Sequence, residues 1–407
     1  MNLRLAISAA VLAGLALAAG AAPLLIDHRD ADVTRLTLEQ IERAKASLHI
    51  AYGHTSHGSQ LTDGMSGLVD FANGGGQGLA LPENAFAWNQ GGSGGALDLH
   101  DYALCNDVGY YPDWVVCTSN YLDDPAHANV NVILWSWCGQ MDDKYEAGTL
   151  TNEYLAPMAA FERNYPHVAF VYMTGHVDIW DDADNKAACA AIRAWCATND
   201  RILYDFNDVE HHDPDGTFYE FVNDDCGVYD GPGGTEIGNW AIAWQTSHVQ
   251  NVDWYDCGSA HSQPLNANLK AYAAWALWCR LGADRDRDEI ADVWEERHGG
   301  LARFGGGTND CDGDGATDWE EYVLDSPPTN AGPRFAFAGW AATNPPTPAF
   351  ATSTGRVYAL QGRADLIAGE WTAITSRPGT GATMGLADER PAATSCAYRI
   401  GVSVPAE

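Results

Sequence analysis

The stretch LHIAYGHTSHGSQLTDGMSGLVDF, residues 48–71, has the pattern that decides the fold we predict for most of this chain. Leu48–Tyr52 is a mostly apolar run of the length of a buried strand, and Ser59–Phe71 has the apolar spacing of a helix. The turn between them, Gly53–Gly58, contains small and polar residues. A strand, a polar turn and a helix in this order are typical of a parallel sheet that is covered by helices.

Units of the same kind follow as far as residue 281. The pattern predicts further strands at Asn129–Trp137, His167–Thr174 and Arg201–Phe206. It predicts further helices at Leu36–Ser47, Asn152–Asn164, Asn185–Thr198 and Pro264–Leu281. This alternation indicates an α/β domain over residues 22–282, with a mainly parallel sheet between two layers of helices. Two loop-rich segments, 74–123 and 207–258, interrupt it, and their many aromatic residues favour ordered, functional loops.

The first residues have the features of a secretory signal peptide. Arg4 precedes an apolar run, Leu5–Ala19, which is short for a membrane span, and small residues follow it. We expect cleavage after Ala21, so that residues 1–21 are removed and the protein is secreted, periplasmic or held at the cell surface. No other stretch is long and apolar enough to predict a membrane span.

The net charge excludes one class of partner. The chain has 55 acidic and 22 basic residues, which gives a formal charge of -33. Such a field repels phosphate backbones and anionic membranes, so nucleic acid is not an expected partner. The ten cysteines of an exported protein can form disulfides. Cys226 and Cys257 flank an irregular segment that a bridge could hold together, and the sequence leaves the pairing open.

Two acidic segments between residues 283 and 330 have the spacing of calcium-binding loops. Calcium prefers six or seven oxygen ligands, which a short loop supplies from positions 1, 3, 5, 7, 9 and 12, the seventh through its backbone carbonyl. The first segment places there Asp284, Asp286, Asp288, Ile290, Asp292 and Glu295. The second places there Asp310, Asp312, Asp314, Ala316, Asp318 and Glu321. The second has Gly315 at the sharp turn of the sixth position, whereas the first has Glu289.

These loops resemble the dockerin-like or thrombospondin type 3 calcium repeats that lie between domains of exported bacterial proteins. The resemblance implies a structural role for calcium, which would stiffen the junction between two domains. Beyond it, residues 331–407 contain short β-like runs at Arg356–Leu360, Trp371–Ile374 and Tyr398–Val404, separated by Gly, Pro and Thr. They predict a small all-β module.

Ser56 and His261 are the candidate catalytic residues. Ser56 lies between a strand and a helix, which places its hydroxyl at the carboxyl edge of the sheet, where α/β folds bind ligands. Backbone amides near Ser56 and Gly58, at the helix N-terminus, can donate to an oxyanion. His261 precedes the last helix of the domain, and we expect the topology to return it to the same edge, where it would accept the serine proton.

Around these residues the chain resembles the SGNH or GDSL hydrolase superfamily, which implies a flavodoxin-like domain and ester hydrolysis. Gly53-His54-Thr55-Ser56 stands where the family has Gly-Asp-Ser. The resemblance implies that Gly91 or Gly94 supplies an oxyanion amide, and that Gln140 replaces the family's amide donor. Asp256, five residues before His261 instead of three, is the nearest acid for the third role; Asp253 or a backbone carbonyl are the alternatives.

The function expected from these patterns is a secreted serine esterase that removes acyl groups from extracellular polysaccharide. Two alternatives stay open. The first is a metal-dependent hydrolase, since His54, His57, His176 and Asp178 all follow predicted strand ends. If the protein is instead a serine esterase, we expect His54 and His176 to line its pocket. The second is a calcium-stabilised carbohydrate-binding or adhesion protein without catalysis, because aromatic loops suit a binder equally well.

Overall fold

The computed structural model describes residues 23–300, 304, 309–331, 335, 337–341, 347–363, 370–388 and 397–405. The expected signal peptide therefore lies outside the described residues. The chain divides into two compact units, one that ends at Asp286 and one that begins at Arg287. No helix in the described part of the chain has both the length and the apolar character that a membrane span requires.

The first unit is built on a seven-stranded parallel sheet, which confirms the predicted α/β class. Its strands are β1 (Leu25–Ile26), β2 (His49–Gly53), β3 (Trp88–Asn89), β4 (Leu97–His100), β5 (Val132–Trp135), β6 (Ala169–Met173) and β7 (Ile202–Tyr204). Their order across the sheet is β1-β7-β6-β5-β2-β4-β3. In the interior strand β2, Ile50 pairs with Leu99 on one side and with Val132 on the other.

Helices alternate with the strands of this sheet. They are α1 (Leu38–Ser47), α2 (Ser56–Asn73), α3 (Asp113–Asp123), α4 (Met141–Glu146), α5 (Ala156–Asn164), α6 (Asp182–Thr198), α7 (Phe206–Glu210), α8 (Trp240–Ser247) and α9 (Pro264–Leu281). Helices α1, α2 and α9 pack together, and Gly64 of α2 lies so close to the Ala267 carbonyl that a Cβ there would approach its oxygen to 2.1 Å. Trp114 of α3 contacts the rings of Trp135 and Phe161, which fills the core beside β5.

The two loop-rich segments contain regular structure that the pattern did not predict. Segment 74–123 contains β3, β4 and α3. Segment 207–258 contains the end of α7, helix α8 and an antiparallel hairpin of β8 (Gly227–Tyr229) and β9 (Glu236–Asn239). Strands of two to four residues carry too little periodicity to be recognised without their hydrogen-bonded neighbours.

The second unit contains the predicted β module as two small antiparallel sheets. After α10 (Asp292–His298) and α11 (Asp318–Leu324) come β10 (Phe337–Ala341), β11 (Thr347–Ala351), β12 (Val357–Arg363), β13 (Thr372–Pro378), β14 (Thr383–Gly385) and β15 (Ala397–Ser403). The sheets have the orders β10-β11-β14 and β13-β12-β15. Phe350, Tyr358 and Leu360 lie in their common core.

The sequence left the pairing of the cysteines open. The structure has a disulfide between Cys105 and Cys117, at the start of α3. Cys226 and Cys257 are free, and the Sγ atom of Cys226 lies 3.3 Å from the hydroxyl of Ser262. The proposed bridge between them is therefore wrong. Cys189 and Cys196 of α6 are buried free thiols.

Candidate functional site

The strand order places a crevice between the carboxyl ends of β2 and β5. The chain leaves β2 for β4 on one side and then crosses to β5 on the other, so the loops after β2 and β5 diverge. Such a switch point is where ligands bind in open parallel sheets. Ser56 follows β2, and Cys138 follows β5. Their side chains meet across the crevice, with the Ser56 Oγ atom 3.5 Å from the Cys138 Sγ atom.

Ser56 and His261 are in hydrogen-bond contact, as the topology predicted. The Ser56 Oγ atom lies 2.9 Å from His261 Nε2. Ser56 is the first residue of α2, three residues before the predicted start. The amide groups of Ser56, His57 and Gly58 are therefore the ones for which a helix N-terminus provides no intrahelical acceptor. They are available to stabilise negative charge near the serine hydroxyl.

The backbone of His261 is strained. Its φ angle is +64°, in the left-handed region that costs a residue with a side chain about 1–3 kcal/mol. The preceding carbonyl, of Ala260, accepts a hydrogen bond from the Gln60 side chain at 2.5 Å. A turn in which Ser262 N–H donates to the Ser259 carbonyl closes the loop. These contacts hold the imidazole over Ser56.

The acids expected to orient His261 do not contact it. Asp256 is exposed and has no hydrogen bond to His261, and the Asp253 carboxylate accepts from the Val249 amide at 2.8 Å. Among the described residues, the carboxylate that lies near the histidine is that of Asp224, whose oxygen is within 4.8 Å of a ring nitrogen of His261. Asp224 belongs to the loop before β8.

Asp224 forms its own hydrogen-bonded relay with two other side chains. Its Oδ2 atom lies 3.1 Å from His57 Nε2, and His57 Nδ1 lies 3.1 Å from the Cys138 Sγ atom. A thiol, an imidazole and a carboxylate in this order are the arrangement of an activated cysteine nucleophile. The relay lies beside the Ser56–His261 pair, so the crevice contains two candidate nucleophiles, each in contact with its own histidine.

The relay has the charges of an ion pair. Burial raises the pKa of the Cys138 thiol, but hydrogen bonds from His57, Thr55 and Ser56 outweigh burial and lower this pKa to about 6. Burial lowers the pKa of His57, but its hydrogen bonds to Asp224 and Cys138 outweigh burial and raise that pKa to about 9. At neutral pH the two groups are therefore a thiolate and an imidazolium.

A stack of three histidine rings forms one wall of the crevice. His57 lies between His176 and His261, with ring centroids 3.9 Å and 4.4 Å away and nearly parallel planes. His176 is buried, its Nδ1 atom lies 2.6 Å from the Val177 carbonyl, and burial lowers its pKa. A neutral His176 can therefore pack against a charged His57 without adding a second positive charge.

The structure separates the residues of the predicted metal site. The Nε2 atom of His54 lies 2.7 Å from Asp101, and its Nδ1 atom lies 2.9 Å from the Thr55 carbonyl. The Asp178 carboxylate accepts from the Trp180 amide at 2.8 Å. Both ring nitrogens of His57 contact other side chains, those of Cys138 and Asp224, and the Nδ1 atom of His176 lies beside the Val177 carbonyl. His54 also faces Asp101 and not the crevice, so it does not line a pocket beside Ser56.

Three other expected site residues, Gly94, Gln140 and Gly58, lie at different places in the first unit. Gly94 lies in the connection that enters β4, at the amino edge of the sheet, whereas Ser56 lies at the carboxyl edge. Gln140 lies at the carboxyl edge, but its Oε1 atom accepts from the Cys138 amide at 3.2 Å. Gly58 packs under Ser136 and His54, where a Cβ would approach both to 2.3 Å, and this close packing requires glycine.

The sequence patterns did not predict a role for Cys138 or Asp224, nor that His57 lies between them. Cys138 follows a β-branched strand directly, and this position was a usable signal for a residue at the carboxyl edge. Asp224 lies in a long acidic loop, and no local pattern distinguishes it from its neighbours.

No known family, curated protein or solved structure matches this chain. The fold and the crevice define an α/β protein with two candidate nucleophiles at the switch point of its sheet.

The second acidic loop folds as its spacing predicts. Gly315, at the sixth position, has a φ angle of +88°, and its amide donates to the Asp310 carboxylate at 2.9 Å. Glu321 is buried, and burial together with the aspartates of the loop raises its pKa to about 8. Asp312 Oδ2 and Glu321 Oε2 are buried oxygens with no hydrogen-bond donor among the described residues. An oxygen-binding cation would satisfy both.

Two details of the acidic loops differ from the pattern. The Asp318 carboxylate accepts from the Asn309 side chain at 2.7 Å and from the Cys311 amide at 2.9 Å, so protein donors already contact both of its oxygens. In the first loop, Glu289 has a φ angle of +70° where the pattern has glycine, so the same turn forms at a conformational cost. The acidic residues of the first loop fall on both sides of the division between the two units.

Proposed function

We propose that the protein is an exported hydrolase that cleaves carboxylic esters through a covalent intermediate on Ser56. The contact of 2.9 Å between Ser56 Oγ and His261 Nε2 is the observation that carries this proposal. Support comes from the strand order β4-β2-β5-β6-β7, which is the flavodoxin-like order expected of an SGNH-like domain. The position of His261 directly before the last helix also agrees with the family pattern.

In this mechanism His261 accepts the proton of the Ser56 hydroxyl while the oxygen attacks the ester carbonyl carbon. The α2 amide groups near Ser56 and Gly58 donate to the oxyanion that forms. The ester C–O bond then breaks, and His261 returns the proton to the leaving alcohol. His261 then takes a proton from water, the hydroxide attacks the acyl carbon, and the bond from that carbon to Ser56 Oγ breaks. The acid leaves, and Ser56 is restored.

We propose acylated extracellular polysaccharide as the substrate class. Four exposed aromatic side chains follow β4 and β6 on the carboxyl side of the sheet: Tyr102, Tyr110, Tyr111 and Trp180. Flat aromatic faces at the rim of a crevice suit the stacking of sugar rings. The formal charge of -33 favours neutral or cationic polymers over anionic ones.

A fluorescent phosphonate probe for serine hydrolases tests the serine mechanism. We expect the folded wild type to be labelled, and Ser56→Ala and His261→Ala to lose the label. Ser93→Ala is the control, because Ser93 lies in an exposed loop at the amino edge of the sheet.

The alternatives give different results in the same assay. A folded wild type that takes no label would overturn the serine mechanism. Polysaccharide binding that persists in such a protein and in Ser56→Ala would favour a carbohydrate-binding or adhesion protein. Ester turnover that a chelator abolishes at saturating calcium would favour a metal-dependent hydrolase.

For the second acidic loop we propose a structural calcium ion. Asp310, Asp312, Asp314, Asp318 and Glu321 would supply carboxylate oxygens, and Ala316 its carbonyl. The two buried oxygens of Asp312 and Glu321 support this proposal. For the first loop the proposal rests on the spacing of Asp284, Asp286, Asp288, Asp292 and Glu295.

A further inference from the structure

We propose that Cys138 is a second nucleophile of the crevice, which attacks acyl carbonyl groups itself and carries the acyl group as a thioester. The inference rests on the proposed acyl chemistry of this site. It does not require that Ser56 be reactive.

The geometry of the relay is more complete around Cys138 than around Ser56. The distances from Cys138 Sγ to His57 Nδ1 and from His57 Nε2 to Asp224 Oδ2 are both 3.1 Å. The two ring nitrogens of His57 thus face a nucleophile and a carboxylate. In the described part of the chain, His261 has the hydroxyl of Ser56 as its hydrogen-bonded partner but no hydrogen-bonded carboxylate. An orienting acid is the third member that nucleophilic relays share.

The relay is also held rigidly. The second carboxylate oxygen of Asp224 accepts from the Asn223 side chain at 2.8 Å, and the Asn223 amide donates to the Gly227 carbonyl at 2.9 Å. His57 is buried and packed between two other imidazole rings. Because these side chains are held in place before the reaction, they need to move less when the thiol attacks.

The charges around the relay favour the reactive form of the thiol. His57, Thr55 and Ser56 lower the pKa of Cys138 to about 6, although burial opposes them. The thiolate is the nucleophilic form of cysteine. Other free cysteines of this unit lack such a neighbour: burial raises the pKa of Cys257 to about 12.

A carbonyl group can reach the sulfur. Cys138 is only partly buried, and the next residue, Gly139, is exposed and has no side chain of its own to cover the sulfur. The Ser56 oxygen and the Cys138 sulfur are 3.5 Å apart. One bound acyl group can therefore meet either nucleophile, and the α2 amides can stabilise the oxyanion in both cases.

The chemical steps balance without an added oxidant or reductant. The Cys138 thiolate attacks the carbonyl carbon, the ester C–O bond breaks, and the His57 imidazolium gives its proton to the leaving alkoxide. The thioester then remains beside a neutral imidazole. His57 takes a proton from water, the hydroxide attacks the thioester carbon, and the C–S bond breaks. The acid leaves, and the thiolate–imidazolium pair is restored.

The test uses Ser56→Ala protein, so that oxygen acylation of Ser56 cannot contribute. We would treat it with p-nitrophenyl acetate, quench in acid and locate the acetyl group by peptide mass spectrometry. Neutral hydroxylamine removes an acetyl group from sulfur but leaves an oxygen ester in place. We expect one hydroxylamine-sensitive acetyl group on Cys138, and none on the corresponding peptide of Ser56→Ala/Cys138→Ala.

A second measurement does not depend on turnover. Iodoacetamide at neutral pH should alkylate Cys138 at least about tenfold faster than Cys257 in the native wild type, because the pKa of Cys138 is lowered and that of Cys257 is raised. His57→Gln should lose this preference while circular dichroism shows a folded protein, and Cys257→Ala is the control. Absence of acetyl on Cys138 together with equal alkylation of both cysteines would overturn the inference. Phosphonate labelling of Ser56 reports on the proposed serine mechanism separately, so the two failures are distinguishable.

Discussion

Two side chains of the crevice, Ser56 and Cys138, are candidate nucleophiles of different chemical kinds. Ser56 and Cys138 follow neighbouring strands, lie 3.5 Å apart and contact different histidines. A hydroxyl remains neutral until a base removes its proton during attack. A thiol beside an imidazolium is ionised beforehand, and the hydrogen bond of His57 to Asp224 stabilises that imidazolium. The two centres should therefore differ in their response to pH.

The pH profile of Cys138 alkylation is the first prediction. Because the pKa of Cys138 is lowered to about 6, the rate should rise as pH increases through about 6 and be level at neutral pH. Besides His57 itself, the charged and titratable groups that face the relay include Asp224, His176, His261, Glu210 and Asp107. In His57→Gln the midpoint should move towards about 8.5, the value of an ordinary thiol.

Stopped-flow alkylation of native protein between pH 4 and pH 10 measures this profile. His248→Gln is the matched control, since His248 stacks on Trp244, outside the crevice, and should leave the midpoint unchanged. A wild-type midpoint above about 8 would show that the thiol has no imidazolium partner.

At the scale of elements, a buried charged network joins the helices that carry the site. Lys270 of α9 is fully buried, and its Nζ atom lies 2.5 Å from Glu210 of α7 and in contact with Gln60 of α2. Burial lowers the pKa of Lys270, although Glu210 opposes this. The second oxygen of Glu210 accepts from the Val177 amide at 2.7 Å, directly after His176. The network therefore fixes three helices and the β6 loop with respect to one another.

Removal of one charge from this network should be strongly destabilising. Glu210→Gln would leave the Lys270 ammonium buried without its counter-ion, and we expect the free energy of unfolding to fall by about 3–5 kcal/mol. Urea unfolding followed by tryptophan fluorescence measures the change. Glu42→Gln removes an exposed carboxylate from its pair with Lys45 and should cost less than about 0.5 kcal/mol. Equal losses in the two variants would contradict the role of the network.

At the scale of the whole molecule, the two units have hydrophobic cores of different size. The first unit has a continuous core that includes fully buried tryptophans such as Trp135, Trp275 and Trp278. The second has a small core around Phe350 and Tyr358. Small domains bury a lower fraction of their surface, so a bound ion contributes relatively more to their stability.

Calcium should therefore stabilise the second unit specifically. At about a hundred times its Kd, an ion that binds only the folded state adds about 2.7 kcal/mol. Scanning calorimetry of the mature protein, with calcium and with a chelator, should show a calcium-dependent rise in the transition of this unit. Glu321→Gln should reduce the rise. Glu320→Gln is the control, because Glu320 caps α11 and glutamine preserves that cap. An equal rise in both variants would exclude Glu321 as a ligand.

Local patterns in the sequence were sufficient for the class of fold and for the β module. Alternating apolar strands and amphipathic helices are encoded within each segment, which is why α9 was predicted with its observed bounds, Pro264–Leu281. The meeting of Ser56 with His261 also followed from topology alone, since loops at one edge of a parallel sheet converge. The signal peptide and the ester substrate remain predictions.

Only the tertiary structure decided which side chains of the crevice act together. Asp224 reaches His57 across 167 residues of chain, and no spacing in the sequence encodes that distance. Strand register places Gly94 at the opposite edge of the sheet from Ser56. Strands of two residues can be recognised only from their hydrogen bonds to neighbouring strands. The physical reason is that propensity and periodicity act over a few residues, whereas the side chains of a site are brought together by packing between segments that are distant in the chain.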